Sequence, residues 1–323
     1  MFPLVLALAA GPDLQMQAVL DAHKSLNPKP IETLTPAEAR VQPSAADAVK
    51  EVLRKQGKPT APEEVGSVKD ITIPAATPIP ARVYTPKGSA PFPVLVYWHG
   101  GGFVLADLNT YDSSPRALCN AAGCVVVSCE YRHAPEFPFP AAVDDAVTAY
   151  QWVRKNAAAL GGDPKRVAVA GESAGGNLAA VVSQAHRRGD VPAPLHQVLV
   201  YPVTAGVRDT PSYKEHADAR PLNKPMMDWF FRHYKPAPGD VRAAPLLGGL
   251  DGSPPATIIL AEIDPLHSDG VEYAAKLKSA GVKVSLRTFP GVTHEFFGMG
   301  AVVDKAKEAV AVAAADLKAA FGK

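Results

Sequence analysis

The chain has 323 residues, 47% of them hydrophobic, which is enough to fill one large core with insertions and excludes a disordered chain. Lys and Arg number 33 against 32 Asp and Glu, so the formal charge of +1 gives no field of the kind that draws nucleic acid or an anionic membrane. No internal repeat and no long run of like charge is present.

Met1 to Ala10 is apolar but lacks a basic start and stops at Gly11-Pro12. It is too short to span a membrane and poor as a secretion signal, so it reads as a docking segment of a cytoplasmic protein, with export as the alternative. Leu14 to about Leu26 reads as a helix ended by Pro28 and Pro30. Thr35-Pro36-Ala37-Glu38 is a helix start with its cap at Thr35 and Pro in the first turn. A further helix covers about Ala45 to Gln56 and stops at Gly57. These helices precede every strand and cannot be crossovers of a sheet, so residues 1–60 are expected to form part of a cap.

Asp70 to Pro74 and Ile79 to Tyr84 predict two antiparallel strands. Val94 to Trp98 is a buried strand running into His99-Gly100-Gly101-Gly102-Phe103. Helices and strands then alternate: helix Ser114 to Ala122, strand Cys124 to Tyr131, helix Ala141 to Asn156, strand Arg166 to Ala170, a helix after Ser173, and strand His196 to Tyr201. The alternation resumes with strand Thr257 to Glu262, helix Gly270 to Ala280, strand Lys283 to Phe289 and a helix from about Val303 to Phe321. Such alternation predicts an α/β fold, a mostly parallel sheet with helices on both faces. The core is expected over 61–203 and 251–323. Residues 204–250, which carry no strand, are expected to be a cap insertion. Within that insertion, Met226 to Phe231 reads either as an ordinary buried helix or as a cap helix with an apolar face toward a pocket. Cys119, Cys124 and Cys129 stand five apart, matching neither a disulfide framework nor a metal-binding spacing, and read as small buried hydrophobes.

The centre of the chain is Gly171-Glu172-Ser173-Ala174-Gly175, a G-x-S-x-G pattern between a strand and a helix. This is the context of a nucleophile elbow, where glycine two residues to either side lets the turn close and the serine takes a strained backbone. A serine needs a base, and the base an orienting acid. His294 follows the last strand, whereas His267 lies three residues beyond Asp264, on the same loop, and is badly placed to bridge that acid to the serine. Asp264 directly follows the strand ending at Glu262, while Glu262 is still on the strand and Asp269 belongs to the next helix. Ser173, Asp264 and His294 are therefore the expected triad. The three glycines Gly100 to Gly102 let backbone approach a substrate carbonyl, and the Ala174 N–H is a second donor for an oxyanion. No G-K-[ST] follows them, which excludes a phosphate-binding P-loop.

His99-Gly100-Gly101-Gly102-Phe103, Tyr131-Arg132-His133-Ala134-Pro135-Glu136, Gly171 to Gly176, Asp264-Pro265-Leu266 and His294 together resemble the bacterial hormone-sensitive-lipase-like (family IV) esterases, in the right order from about residue 70 onward. The resemblance implies an α/β-hydrolase fold with a helical cap, hydrolysis of short-chain acyl esters, and no cofactor or metal. It assigns the triad to Ser173, Asp264 and His294, the oxyanion donors to Gly101, Gly102 and Ala174, and a structural role to His99. The chain departs from the family pattern at Glu172 (usually Asp), His133 (usually Leu), His267-Ser268-Asp269 (usually Arg-Asp-Glu) and Glu295 (usually Gly). The implied function is a serine carboxylesterase acting on a small-molecule ester. An amidase or peptidase on the same triad, and a non-catalytic ligand-binding protein of the same fold, are the alternatives. A homodimer formed through an edge strand such as Lys283 to Phe289 is also open.

Overall fold

The computed structural model describes residues 11–322, so the apolar Met1 to Ala10 stretch lies outside the described residues. Eight strands form one sheet: β1 (Ser67–Ile73), β2 (Ile79–Thr85), β3 (Phe92–Trp98), β4 (Val125–Cys129), β5 (Gly162–Glu172), β6 (Gln197–Val200), β7 (Ala256–Ile263) and β8 (Val284–Thr293). Their order is β1-β2-β4-β3-β5-β6-β7-β8. Strand β2 pairs antiparallel with both β1 and β4, and every pairing from β4 across to β8 is parallel.

The parallel strands are apolar on both faces because helices cover both faces. Along β3, Val94, Val96 and Trp98 enter one core while Leu95 and Tyr97 enter the other. The same alternation divides Val167 and Val169 from Ala168 and Ala170 in β5. The first core holds α5 (Ala141–Asn156), α6 (Ala174–Ala185), α7 (Pro211–Glu215), α8 (Lys224–Tyr234) and α9 (His267–Ser279). The second holds α1 (Leu14–Ser25), α3 (Ala45–Lys55), α4 (Ser113–Ala122) and α10 (Asp304–Ala320). The short helix α2 (Pro36–Ala39) carries a full capping box, with Thr35 and Glu38 exchanging side-chain and backbone bonds. No helix among the described residues is long and apolar enough to cross a membrane.

Several boundaries differ from the sequence expectation, among them β1, which starts at Ser67, and β4, which ends at Cys129. Strand β8 continues past Phe289 to Thr293, because an irregularity in register lets Ile263 pair with Thr293. Helix α9 begins at His267, so that residue opens a helix instead of lying on the loop after β7. Strand β5 starts at Gly162, ahead of its apolar run. Residues 204–250 carry α7, α8, a single 3-10 turn at Pro245–Leu247 and loop, with no strand.

This topology puts chemistry at one edge. His99, Glu130, Ser173, Asp264 and His294 are each the first residue after the end of a parallel strand. The C-terminal ends of parallel strands, where loops diverge, are where α/β folds form sites. Replacing Leu95, fully buried in β3, by Ala is expected to cost about 2–5 kcal/mol. The same change at Leu14, 90% exposed on α1, is expected to stay within about 0.5 kcal/mol, and urea unfolding curves measure both.

Candidate active site

Ser173 has φ 56° and ψ −115°, a conformation that costs a non-glycine residue on the order of 1–3 kcal/mol and persists only where neighbours hold it. The neighbours are present. Its N–H donates to the Val200 carbonyl at 2.9 Å, and its carbonyl accepts from Asn177 N–H at 3.0 Å. A Cβ on Gly171 would overlap the Gly175 carbonyl, and one on Gly175 would overlap the Trp98 and His99 carbonyls. Both flanking glycines are therefore required by close approach of backbone to backbone. Asn177 extends the brace: its side-chain N–H groups donate to the Val203 carbonyl at 2.9 Å and the Ala243 carbonyl at 3.0 Å, tying α6 to the chain on both sides of α7 and α8.

Asp264 and His294 meet across β7 and β8, with His294 Nδ1 at 2.6 Å from Asp264 Oδ2. The other carboxylate oxygen of Asp264 accepts from Leu266 N–H at 2.8 Å, so the Asp-Pro turn and the pairing with His294 coexist on one side chain. Burial opposes charge on His294, but Asp264, reinforced by Glu295 and Glu172, holds its imidazole above the ordinary value. His267, the competing histidine, is turned away and lies 3.1 Å from Thr288 Oγ1. Asp269 is buried inside α9, where desolvation pushes its carboxyl up to about 7, and its Oδ2 accepts from Thr204 and Ala205 N–H at 2.9 Å each. It anchors the backbone at Thr204 and Ala205, where the chain leaves β6 for α7.

Ser173, His294, Gly101 and Gly102 line one cavity of about 840 Å³. A larger groove of about 1160 Å³, bordered by residues of α3, α4 and α10, holds none of these groups. Gly101 (φ 104°) and Gly102 (φ 60°) lie in backbone regions that glycine alone adopts freely. Their backbone N–H groups take no partner among the described residues. Ala174 opens α6, so its N–H has no acceptor within the helix. These are donors without internal partners near a serine, the arrangement an oxyanion needs.

Several residues around the cavity carry no motif signal. The Phe230 ring of α8 lies so close to Gly102 that a Cβ there would overlap it, and Met226, Met227 and Phe231 join it on the cavity wall. The apolar helix thus does both things the sequence left open, burying Met227, Trp229 and Phe230 while lining the cavity. Arg40, beyond α2, donates to the Val104 carbonyl at 2.9 Å and the Ala134 carbonyl at 2.8 Å and forms a two-bond pair with Glu136. Glu172 is fully buried and accepts from the Tyr97 and Tyr201 hydroxyls, and desolvation raises its carboxyl. Tyr201 in turn packs on His294, with ring centroids 4.3 Å apart. The composition of the strand ends contained these tyrosines, but nothing in their spacing pointed to His294.

Behind the glycine loop, His99 Nδ1 donates to the Gly100 carbonyl at 2.7 Å, and its Nε2 stands 2.7 Å from Glu130 Oε1. Both ring nitrogens therefore face acceptors. Burial disfavours charge on His99, yet Glu130 raises its imidazole above the usual value. Burial likewise works against the Glu130 carboxylate, but His99 and His133 beside it hold it well below the usual range. The Tyr131 hydroxyl caps the arrangement, 3.0 Å from the carbonyls of both His99 and Gly100.

A buried serine elbow and a carboxylate-paired histidine that line one cavity, on a mostly parallel sheet with a glycine-rich loop, define the class. A family profile described as alpha/beta hydrolase fold matches residues 95–298. The chain belongs to this family, in its hormone-sensitive-lipase-like branch. Carboxylesterase NlhH of Mycobacterium tuberculosis is 44% identical over 253 residues, 76% of this chain and 79% of that protein. Ethyl acetate hydrolase of Pseudomonas putida is 36% identical over 311 residues, 93% of this chain and 96% of that protein. The crystal structure of a thermostable esterase from Pseudomonas putida ECU1011 superposes with a TM-score of 0.87 at 34% identity, covering 97% of this chain and 98% of that one.

The raised imidazole of His294 is expected to titrate above about 6.5 in the wild type. Asp264→Asn removes the main charge that raises it, so the titration moves down from the wild-type value although Glu295 and Glu172 still act. NMR of the His294 Cε1–H signal across pH measures both.

Proposed function

We propose that Ser173 is the nucleophile, His294 its general base and Asp264 the acid that orients the imidazole, with the N–H groups of Gly101, Gly102 and Ala174 forming the oxyanion hole. The observation that carries this reading is the 2.6 Å Asp264–His294 contact beside a cavity that Ser173, His294, Gly101 and Gly102 share. The chain is a carboxylic ester hydrolase, as its family membership and its relatives at 36–44% identity establish.

In this mechanism the Asp264 carboxylate accepts the Nδ1 proton of His294, leaving Nε2 as the acceptor for the serine proton. Ser173 Oγ attacks the ester carbonyl as that proton leaves. Negative charge collects on the carbonyl oxygen, where N–H dipoles already in place stabilise it without reorganisation. The imidazolium delivers its proton to the departing alcohol, giving an acyl-enzyme. Water then repeats the sequence and releases the acid.

Residues 1–60 and 204–250 act in this reading as a cap over a core made of 61–203 and 251–323. Trp229 of α8 donates to the Leu34 carbonyl at 3.0 Å, which joins the two cap segments. Phe230 against Gly102 favours short acyl chains, because a ring there closes the cavity beside the reacting carbonyl. The small-molecule ester is the only partner the mechanism requires, in a cytoplasmic setting. The exposed edge of β8 offers a route to a homodimer, which light scattering would read as twice 33.9 kDa.

Hydrolysis of p-nitrophenyl esters from acetate to palmitate tests the reading. Wild type is expected to peak at short chains, and Ser173→Ala to lose on the order of 10⁶ in rate. Phe230→Ala is expected to move the peak to longer chains. The acid limb of kcat/KM for wild type is expected above about pH 6.5, since only neutral His294 accepts the serine proton and its imidazole is raised. A Ser173→Ala variant that retains turnover, or a flat profile into acid, contradicts the assignment.

A further inference from the structure

We propose that His99 Nε2, Glu130 Oε1 and His133 Nε2 form a binding site for a divalent transition-metal cation of the Zn²⁺ and Co²⁺ class, at the ends of β3 and β4 and behind the glycine loop. The three residues offer one donor atom each, all within 4.8 Å of one another. Glu130 Oε1 is 2.7 Å from His99 Nε2 and 3.2 Å from His133 Nε2. Donors around a tetrahedral ion with bonds of about 2.0–2.1 Å stand roughly 3.3 Å apart, so small side-chain shifts open the position. Two imidazoles and one carboxylate suit zinc, cobalt and nickel, and are a poor set for magnesium or calcium.

Two further observations point to an ion. His99 is oriented as metal-binding histidines are, with Nδ1–H held by the Gly100 carbonyl so that Nε2 is left to coordinate. His133 Nε2 is buried and makes no hydrogen bond among the described residues, although the Glu130 oxygen is only 3.2 Å away. A buried nitrogen without a good hydrogen bond is costly, and a cation held between it and the Glu130 carboxylate would give it a partner. The His99 side chain has no exposure, while those of Glu130 and His133 keep 18% each, so an ion enters from their side and keeps water on its open position. On binding, the ion takes the place of the proton between His99 Nε2 and Glu130, and that proton leaves to solvent.

His133 decides the matter, since it stands where leucine is usual in the family pattern and supplies the third ligand. The occupied site would join the ends of β3 and β4 to the Tyr131–Ala134 loop. This inference does not depend on the proposed triad, because its test reads metal binding directly.

The experiment titrates the full-length, metal-free protein with Co²⁺ at about pH 8, where competition from protons is weak, and follows the visible d–d absorption. One Co²⁺ per chain with a nitrogen-ligand spectrum, displaced by Zn²⁺, is expected. His133→Leu and His133→Asn each remove the Nε2 donor and are expected to weaken Co²⁺ affinity at least about tenfold. Circular dichroism establishes which variants are folded, and Asn keeps the polar character of the position if Leu disturbs it. Wild-type affinity in either folded variant, or no saturable Co²⁺ absorption in the wild type, overturns the proposal.

Discussion

The structure depends on one strained residue. Ser173 sits at positive φ between β5 and α6, and every contact that holds it there is also a contact that shapes the site. Gly171 and Gly175 allow the strand and helix to meet, and the approach of Gly175 to the Trp98 and His99 carbonyls brings the elbow against the glycine loop. Asn177 carries the same constraint outward to the insertion. The strain is local, but the packing that sustains it links β3, β5, β6 and the insertion.

Around that point, carboxylates at strand ends divide the electrostatic work by their partners. Asp264 faces an imidazole and an N–H, Glu172 faces two tyrosine hydroxyls, and Glu130 faces two imidazoles. All three are withdrawn from water to different degrees, and the differences in their partners separate their behaviour. Burial raises the Glu172 carboxyl where only hydroxyls answer it. Glu130 stays ionised because the His99 and His133 imidazoles beside it outweigh the same penalty. Two departures from the family pattern thus have a physical setting: Glu172 spans Tyr97 and Tyr201, and His133 adds a second imidazole to Glu130.

Much of this was legible in the sequence. Apolar strands bounded by glycine and proline, separated by helical stretches, specify an α/β sheet, and the order of Ser173, Asp264 and His294 along it follows strand by strand. Errors fell at boundaries. His294 follows its strand directly only because β8 runs on past Pro290 and Gly291, which a rule that ends strands at such residues does not anticipate. His267 opens α9 because the turn at Asp264 closes within two residues. Arg40 and Tyr201 left no trace in motif or spacing, whereas Phe230 lay in the Met226 to Phe231 stretch whose apolar character raised a pocket-facing helix as one of two readings.

What the sequence by itself determined is the local alphabet of the site: a glycine-flanked serine, a glycine-rich loop after a buried strand, and an acid and a histidine after late strands. These are encoded within a few residues, because turn sterics and hydrophobic periodicity are short-range. Tertiary structure alone decided which side chains meet. Asp264 and His294 are 30 residues apart, Arg40 and Ala134 are 94 apart, and Trp229 and Leu34 are 195 apart. Periodicity states which face of an element is buried. The identity of the group it is buried against is fixed only when the strands take their order in the sheet and the two helical segments pack over its edge.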